Sequence, residues 1–160
     1  MIMRKHFAQL ITKKMESNLN LYVLTGDLGY GVWDEAKRNF PNRFINIGAA
    51  EQSMLGISVG LALEGKIPIV YSITPFLLYR PFETIRNYID GEKIAVTLVG
   101  AGRDKEYTEN GPSHWATDDH SLLQCLPNIQ AYWPETNSQI TNIVDEVLST
   151  PKPYYINLRR

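Results

Sequence analysis

Residues 43–73, RFINIGAAEQSMLGISVGLALEGKIPIVYSI, decide the fold. The segment opens on a short apolar run, RFINIG, and closes on another, KIPIVYSI, with a helical stretch beginning near Glu51 between them. Short runs rich in Ile, Val and Tyr and bounded by glycine read as strands. A strand, a helix and a second strand in succession form a crossover between parallel neighbours. The same pattern continues outward in both directions. On the N-terminal side, MRKHFAQLITKKMES sets Phe7, Leu10, Ile11 and Met15 at helical spacing, and LYVLTGD is a strand that stops at Gly26. A Gly-rich turn, GDLGYG, then leads into a short polar helix around DEAKRNF. On the C-terminal side, RPFETIRNYI, ATDDHSLLQCL and TNSQITNIVDEVLST read as helices, and KIAVTLVGAG, NIQAYW and PYYINL as strands. This alternation, with few hairpin signals, predicts an α/β three-layer sandwich with a mainly parallel sheet covered by helices on both faces.

The 160 residues are enough for one domain with a single core, and no repeat or linker divides them. Sixteen Lys and Arg against seventeen Asp and Glu leave a net charge of −1, so no electrostatic footprint for nucleic acid or an anionic membrane is visible. No apolar run approaches the roughly 18–20 residues that span a bilayer. The start, MIMRKHFAQLITKKM, is too charged for a signal-peptide core, which makes the cytoplasm the expected location. A single cysteine, Cys125, excludes an internal disulfide framework and a cysteine-based metal cluster. Its apolar setting, SLLQCLPNI, predicts a buried packing thiol.

The helix EQSMLGISVGLALEG departs from the ordinary amphipathic pattern. Met54, Leu55, Ile57, Val59, Leu61 and Leu63 are spread around most of its circumference, and a helix apolar nearly all round is buried on all sides. Gly56 and Gly60 leave a smooth strip, although each glycine costs a helix about 1 kcal/mol against alanine. The strip fits either a tight helix-on-sheet contact within the domain or burial in a subunit interface, and the interface is favoured.

In this order the pieces resemble a known family. The run RFINIGAAEQSMLGISVGLALEGKIPIVYSITPFLLYRPFETIRNYI resembles the central, pyrimidine-binding domain of transketolases, with G-x-A-E-Q, a Gly-containing helix, G-x-x-P, an aromatic-rich segment and an Arg near the next helix. ENGPSHWATDDHSLLQCLPNIQAYWPE is similar to that family's D-G-P-T-H-Q stretch, and PYYINLRR to its closing, Arg-terminated strand. Deoxyxylulose-phosphate synthases and the beta subunits of 2-oxoacid dehydrogenases share parts of the pattern; Pro-Ser-His sits closer to transketolase and the synthase. The metal-site signature of thiamine enzymes, G-D-G followed farther on by Asn, is missing. The resemblance therefore implies one pyrimidine-binding domain over residues 1–160, with the diphosphate-binding and C-terminal transketolase domains absent and no metal ligands of its own.

What the resemblance implies for chemistry is half an active site for thiamine diphosphate. The other half, with its Mg²⁺ or Ca²⁺, would belong to a diphosphate-binding transketolase subunit, in a heterotetramer of two plus two chains. Glu51 matches the carboxyl that activates the cofactor by a hydrogen bond to its aminopyrimidine; a carboxyl shielded from water suits proton sharing with a weakly basic ring nitrogen. The competing explanation is that an acidic residue in the first turn simply complements the helix dipole. Phe76 matches the aromatic that stacks on the pyrimidine, Tyr79 another aromatic of the pocket, and Asp27 an acidic residue near the cofactor. Ile73 stands where a second Phe is common. On the substrate side, His114 matches a sugar-contacting histidine and Asn110 replaces the usual Asp. Arg4 and Arg160 match two arginines that grip a sugar phosphate, a task suited to the guanidinium fork. Trp115 in place of Gln, and Gly31 in place of a phosphate-contacting Ser, are departures. The implied activity is transfer of a two-carbon ketol unit between sugars. A synthase-like or 2-oxoacid-using subunit is the alternative within the enzyme class, and a non-catalytic remnant the alternative outside it.

Overall fold

In the computed structural model, which describes residues 2–160, six parallel strands form one sheet in the order β2-β1-β3-β4-β6-β5. The strands are β1 (Leu21–Thr25), β2 (Phe44–Asn46), β3 (Ile67–Ile73), β4 (Thr97–Ala101), β5 (Gln130–Tyr132) and β6 (Tyr154–Leu158). The helices are α1 (Met3–Ser17), α2 (Asp34–Asn39), α3 (Glu51–Leu63), α4 (Thr74–Leu78), α5 (Phe82–Thr84), α6 (Asp119–Leu123) and α7 (Asn137–Ser149). Successive strand residues alternate between two cores. Ile69, Tyr71, Val99, Ala101, Ile156 and Leu158 pack with side chains of α1, α2 and α7. Val70, Leu98 and Tyr155 pack with those of α3, α4 and α6. Both faces of the sheet are thus covered, which is why its strands read as apolar runs with no polar alternation. The predicted three-layer sandwich is the observed architecture.

Local signals account for most boundaries. Thr136 and Gln139 form a reciprocal capping box that starts α7. Arg43 donates to the carbonyls of Met15 and Asn18, at 2.9 and 2.8 Å, and so satisfies the end of α1. Three expectations are corrected. Residues 74–78 form a helix, α4, that the strand pattern concealed; Pro75 sits in its first turn, where its missing N–H costs nothing. The helix expected over RPFETIRNYI begins as α5 and continues as a π-helix, Ile85–Gly91. Cys125 is exposed, because Leu123 and Leu126 take the inward positions around it.

Helix α3 has two apolar faces. Glu51, Met54, Leu55, Ser58 and Val59 are buried, whereas Ile57 and Leu63 are 42% and 69% exposed. A Cβ added at Gly56 or Gly60 would meet no described atom within 4 Å, which removes the explanation by tight contact inside the domain. The glycine strip lies on the outward face.

The topology also fixes where side chains can converge. β1 lies between β2 and β3, so the connections run to opposite sides of it. Such a reversal opens a crevice at the C-terminal ends of the strands, the usual ligand position of an open parallel sheet.

Candidate active site

Glu51 stands in the first turn of α3, against the turn at Gly26 that follows β1. Asn46, the last residue of β2, accepts hydrogen bonds on its side-chain oxygen from the backbone N–H groups of Asp27 and Gly48, at 2.8 and 3.0 Å, tying together the loops after β1 and β2. Gly26 allows their close approach: a Cβ there would stand 3.2 Å from the Gly48 carbonyl oxygen and 3.7 Å from Oε1 of Glu51. The Glu51 carboxylate is only 4% exposed. Its Oε1 accepts a hydrogen bond from Nη1 of Arg80 at 2.8 Å.

The contacts continue across the strand ends without a break. The Arg80 guanidinium lies over the ring of Phe76 of α4, its central carbon 3.8 Å from the ring centroid. His114 meets Phe76 edge to face at 4.8 Å, and its Nδ1 lies 2.9 Å from the Ser113 hydroxyl. Tyr107 follows, 5.9 Å from the His114 ring. Arg160 places its guanidinium 4.9 Å from the Tyr107 centroid, while Arg4 donates to the Tyr107 hydroxyl at 3.4 Å. Among the described residues, the buried Nε of Arg4 has no hydrogen-bond partner. Asn110 is exposed on the rim and lines a groove of about 320 Å³ with Glu106, Thr108, Glu109 and Arg160. Glu51, Phe76, His114, Arg4, Arg160 and Asn110 thus share the C-terminal end of the sheet.

Three candidates stand to the side of this path. Ile73 is half-buried at the end of β3, directly before α4. Tyr79 donates its hydroxyl to Asp118; burial, and then this bond, raise its pKa. Asp27 adopts a left-handed backbone (φ 54°) and accepts from the Tyr30 hydroxyl at 2.6 Å. That bond, with a second from Asn46, holds the exposed Asp27 carboxyl below its ordinary pKa. Asp27 therefore stays ionised beside the Gly26 turn.

Beneath the site, a buried polar network fixes the supporting backbone. Asp119 is 1% exposed, and its Oδ2 accepts from Trp133 Nε1, Tyr155 Oη and Asn157 Nδ2 at 2.9, 2.8 and 2.8 Å. Thr74, at the start of α4, donates to the Gly102 carbonyl at 2.8 Å, and Arg103 donates to the Asn157 carbonyl at 2.7 Å. Phe76 is therefore carried on a helix whose first residue is anchored to the loop after β4.

Sequence reasoning passed over Arg80, Tyr107 and Asp119 as site or supporting residues. Arg80 stands in the family pattern without a role. Tyr107 has a signal only in hindsight: Gly102 has φ +89°, and a Cβ there would lie 2.3 Å from the Tyr107 ring. Asp119 looks like an ordinary helix-start acid until the fold buries it.

Comparison with known proteins supplies the family. Residues 1–160 match the family described as "Transketolase, pyrimidine binding domain". The chain belongs to this family. It is 31% identical over 160 residues to a Methanocaldococcus jannaschii protein named "Putative transketolase C-terminal section", covering 99% of this chain and 50% of that one. It is 31% identical over 121 residues to an apulose-4-phosphate transketolase subunit of Actinobacillus succinogenes, covering 76% of this chain and 39% of that one. A solved structure described as "Split gene transketolase, inactive beta4 tetramer" superposes with a TM-score of 0.87 at 31% identity, over 100% of this chain and 52% of that one. The chain thus spans about half or less of the length of these relatives. The family implies thiamine diphosphate. Among the described residues no helix is long and apolar enough to cross a membrane.

The residues present fit the pyrimidine end of that cofactor. A flat, cationic, hydrogen-bonding group, the Arg80 guanidinium, already lies on Phe76 and bonds Glu51, so the geometry accepts a planar donor with an apolar face. Among the described residues no group of three His, Cys, Asp or Glu side chains is placed to hold a metal ion.

Proposed function

We propose that the transketolase pyrimidine domain formed by this chain is one working domain of a split, thiamine-diphosphate-dependent enzyme that transfers a two-carbon ketol unit between sugars. The observation that carries this reading is the buried carboxylate of Glu51, set at the head of α3 and linked through the Arg80 guanidinium to the ring of Phe76. When bound, the cofactor supplies the carbon that takes up and releases the ketol unit. Glu51 shares a proton with its aminopyrimidine and Phe76 stacks on that ring, with Tyr79, Ile73 and Asp27 on the pocket's flanks. His114 and Asn110 contact sugar hydroxyls. Arg4 and Arg160, gathered on Tyr107, hold an anionic group of the substrate, in keeping with a relative named for a sugar phosphate. A diphosphate-binding subunit supplies the remaining half-site with Mg²⁺ or Ca²⁺, in a heterotetramer of two plus two chains in the cytoplasm.

Co-expression with such a subunit tests the assignment. Ketol transfer is expected from the purified complex and from neither chain separately, with native mass spectrometry giving a two-plus-two assembly. Transfer by this chain alone would contradict it.

The outward face of α3 is assigned to the assembly interface. Gly60 is exposed and a Cβ there meets nothing within 4 Å, so Gly60→Leu projects outward and removes a helix-weakening glycine worth about 1 kcal/mol. The monomer's melting temperature is expected to hold or rise while light scattering shows loss of assembly. A destabilised monomer that still assembles would contradict this placement.

A further inference from the structure

Arg80 combines two contacts that a pyrimidine-binding site offers to its ligand. Its Nη1 donates to Glu51 Oε1 at 2.8 Å, and the same planar group covers Phe76 at 3.8 Å. A guanidinium is flat, carries N–H donors in its plane and stacks on aromatic rings through its faces. An aminopyrimidine bearing a proton on its ring nitrogen presents the same combination. We propose that Arg80 is a resident occupant of the pyrimidine seat, held between Glu51 and Phe76 until an aminopyrimidine displaces it. This inference rests on the assignment of Glu51 and Phe76 to the pyrimidine.

The two partners of the ion pair differ in how freely they can leave. The Glu51 side chain is 4% exposed and belongs to the first turn of a packed helix, whereas the Arg80 side chain is 47% exposed. A buried carboxylate without a partner is strongly unfavourable, and in the empty seat the Arg80 guanidinium is the partner that offsets this cost. Arg80 can meet that need from the surface and return its charge to water when a ligand takes over the hydrogen bond. Its neighbour Tyr79 is held by a hydrogen bond of its own, from its hydroxyl to Asp118.

The pairing therefore sets a conformational threshold for binding. If Arg80 closes the seat in about nine molecules of ten, the apparent affinity for an aminopyrimidine falls about tenfold. Removing the side chain should recover that factor, and a free guanidinium should abolish the gain.

The test is an NMR titration of the chain with 4-amino-5-hydroxymethyl-2-methylpyrimidine, a probe without the diphosphate, following the resonances of Glu51 and Phe76. Arg80→Ala is expected to bind the probe about tenfold more tightly than the native chain. Added methylguanidine should return the variant to native affinity by refilling the vacated place. Equal or weaker binding by Arg80→Ala would overturn the proposal, because Arg80 would then be a fixed wall of the pocket; the assignment of Glu51 and Phe76 would stand. Absence of binding by both proteins would overturn that assignment together with the proposal.

Discussion

Glu51→Gln is expected to lower turnover of the reconstituted complex by roughly 10²–10⁴-fold, equivalent to about 3–5 kcal/mol of barrier. Gln keeps the shape and the ability to hydrogen-bond but cannot exchange a proton with the ring nitrogen. The fold should survive, since the neighbouring contacts of Met54, Leu55 and Val59 in the core are untouched. Partner assembly should also survive, because Glu51 points inward and the face of α3 assigned to the partner points out. Steady-state kinetics with a circular-dichroism melt separate these effects. More than about a third of native turnover would remove Glu51 from proton sharing.

Arg160→Ala is expected to raise KM for a phosphorylated acceptor by roughly 10–150-fold, the effect of one lost charged hydrogen bond of about 1.5–3 kcal/mol. Arg160 is exposed and lies over Tyr107, while its backbone N–H is held by Glu106 at 2.7 Å, so truncation leaves the support of the loop in place. An acceptor without the phosphate should hardly register the change. Gly31, Asn110 and Trp115 depart from the Ser, Asp and Gln that the transketolase resemblance leads one to expect, and a specialised acceptor is the alternative to a sugar phosphate. The comparison is therefore of kcat/KM for phosphorylated and unphosphorylated acceptors in both proteins. A native complex indifferent to the phosphate would end the sugar-phosphate assignment and leave that of the cofactor intact.

The fold was legible because its decisive signals are local. Apolar runs such as KIPIVYSI can be buried on both faces only in a covered parallel sheet, and every strand expected from the sequence is present. The elements that went unseen are those without periodicity of their own. At five residues α4 is too short to show a helical pattern, and a π-helix spaces its side chains differently from the α-helix that RPFETIRNYI suggests. Cys125 was misplaced because an apolar neighbourhood in sequence does not say which residue of a helix end turns outward. The apolar circumference of α3 was informative: it exceeded what one domain could cover, and the structure leaves Ile57 and Leu63 exposed beside the two glycines.

The candidate site was legible only in part. Glu51, Phe76 and His114 came from the spacing of a family pattern, and the fold gathers them at the ends of β2, β3 and β4. Arg80 and Tyr107 link them through ring and ion contacts between segments far apart in the chain, which no single-segment pattern expresses. Asp119 and Asn157 lie 38 residues apart, and only the sheet brings them to 2.8 Å.

Isothermal titration of the isolated chain with thiamine diphosphate, with and without Mg²⁺, tests the half-site directly. With the diphosphate and its metal assigned to the partner, binding should be weaker than micromolar and indifferent to the metal. Adding the partner subunit should bring one cofactor per pair of chains into tight, metal-dependent binding. Micromolar or tighter binding by the isolated chain that strengthens with Mg²⁺ would contradict a shared site.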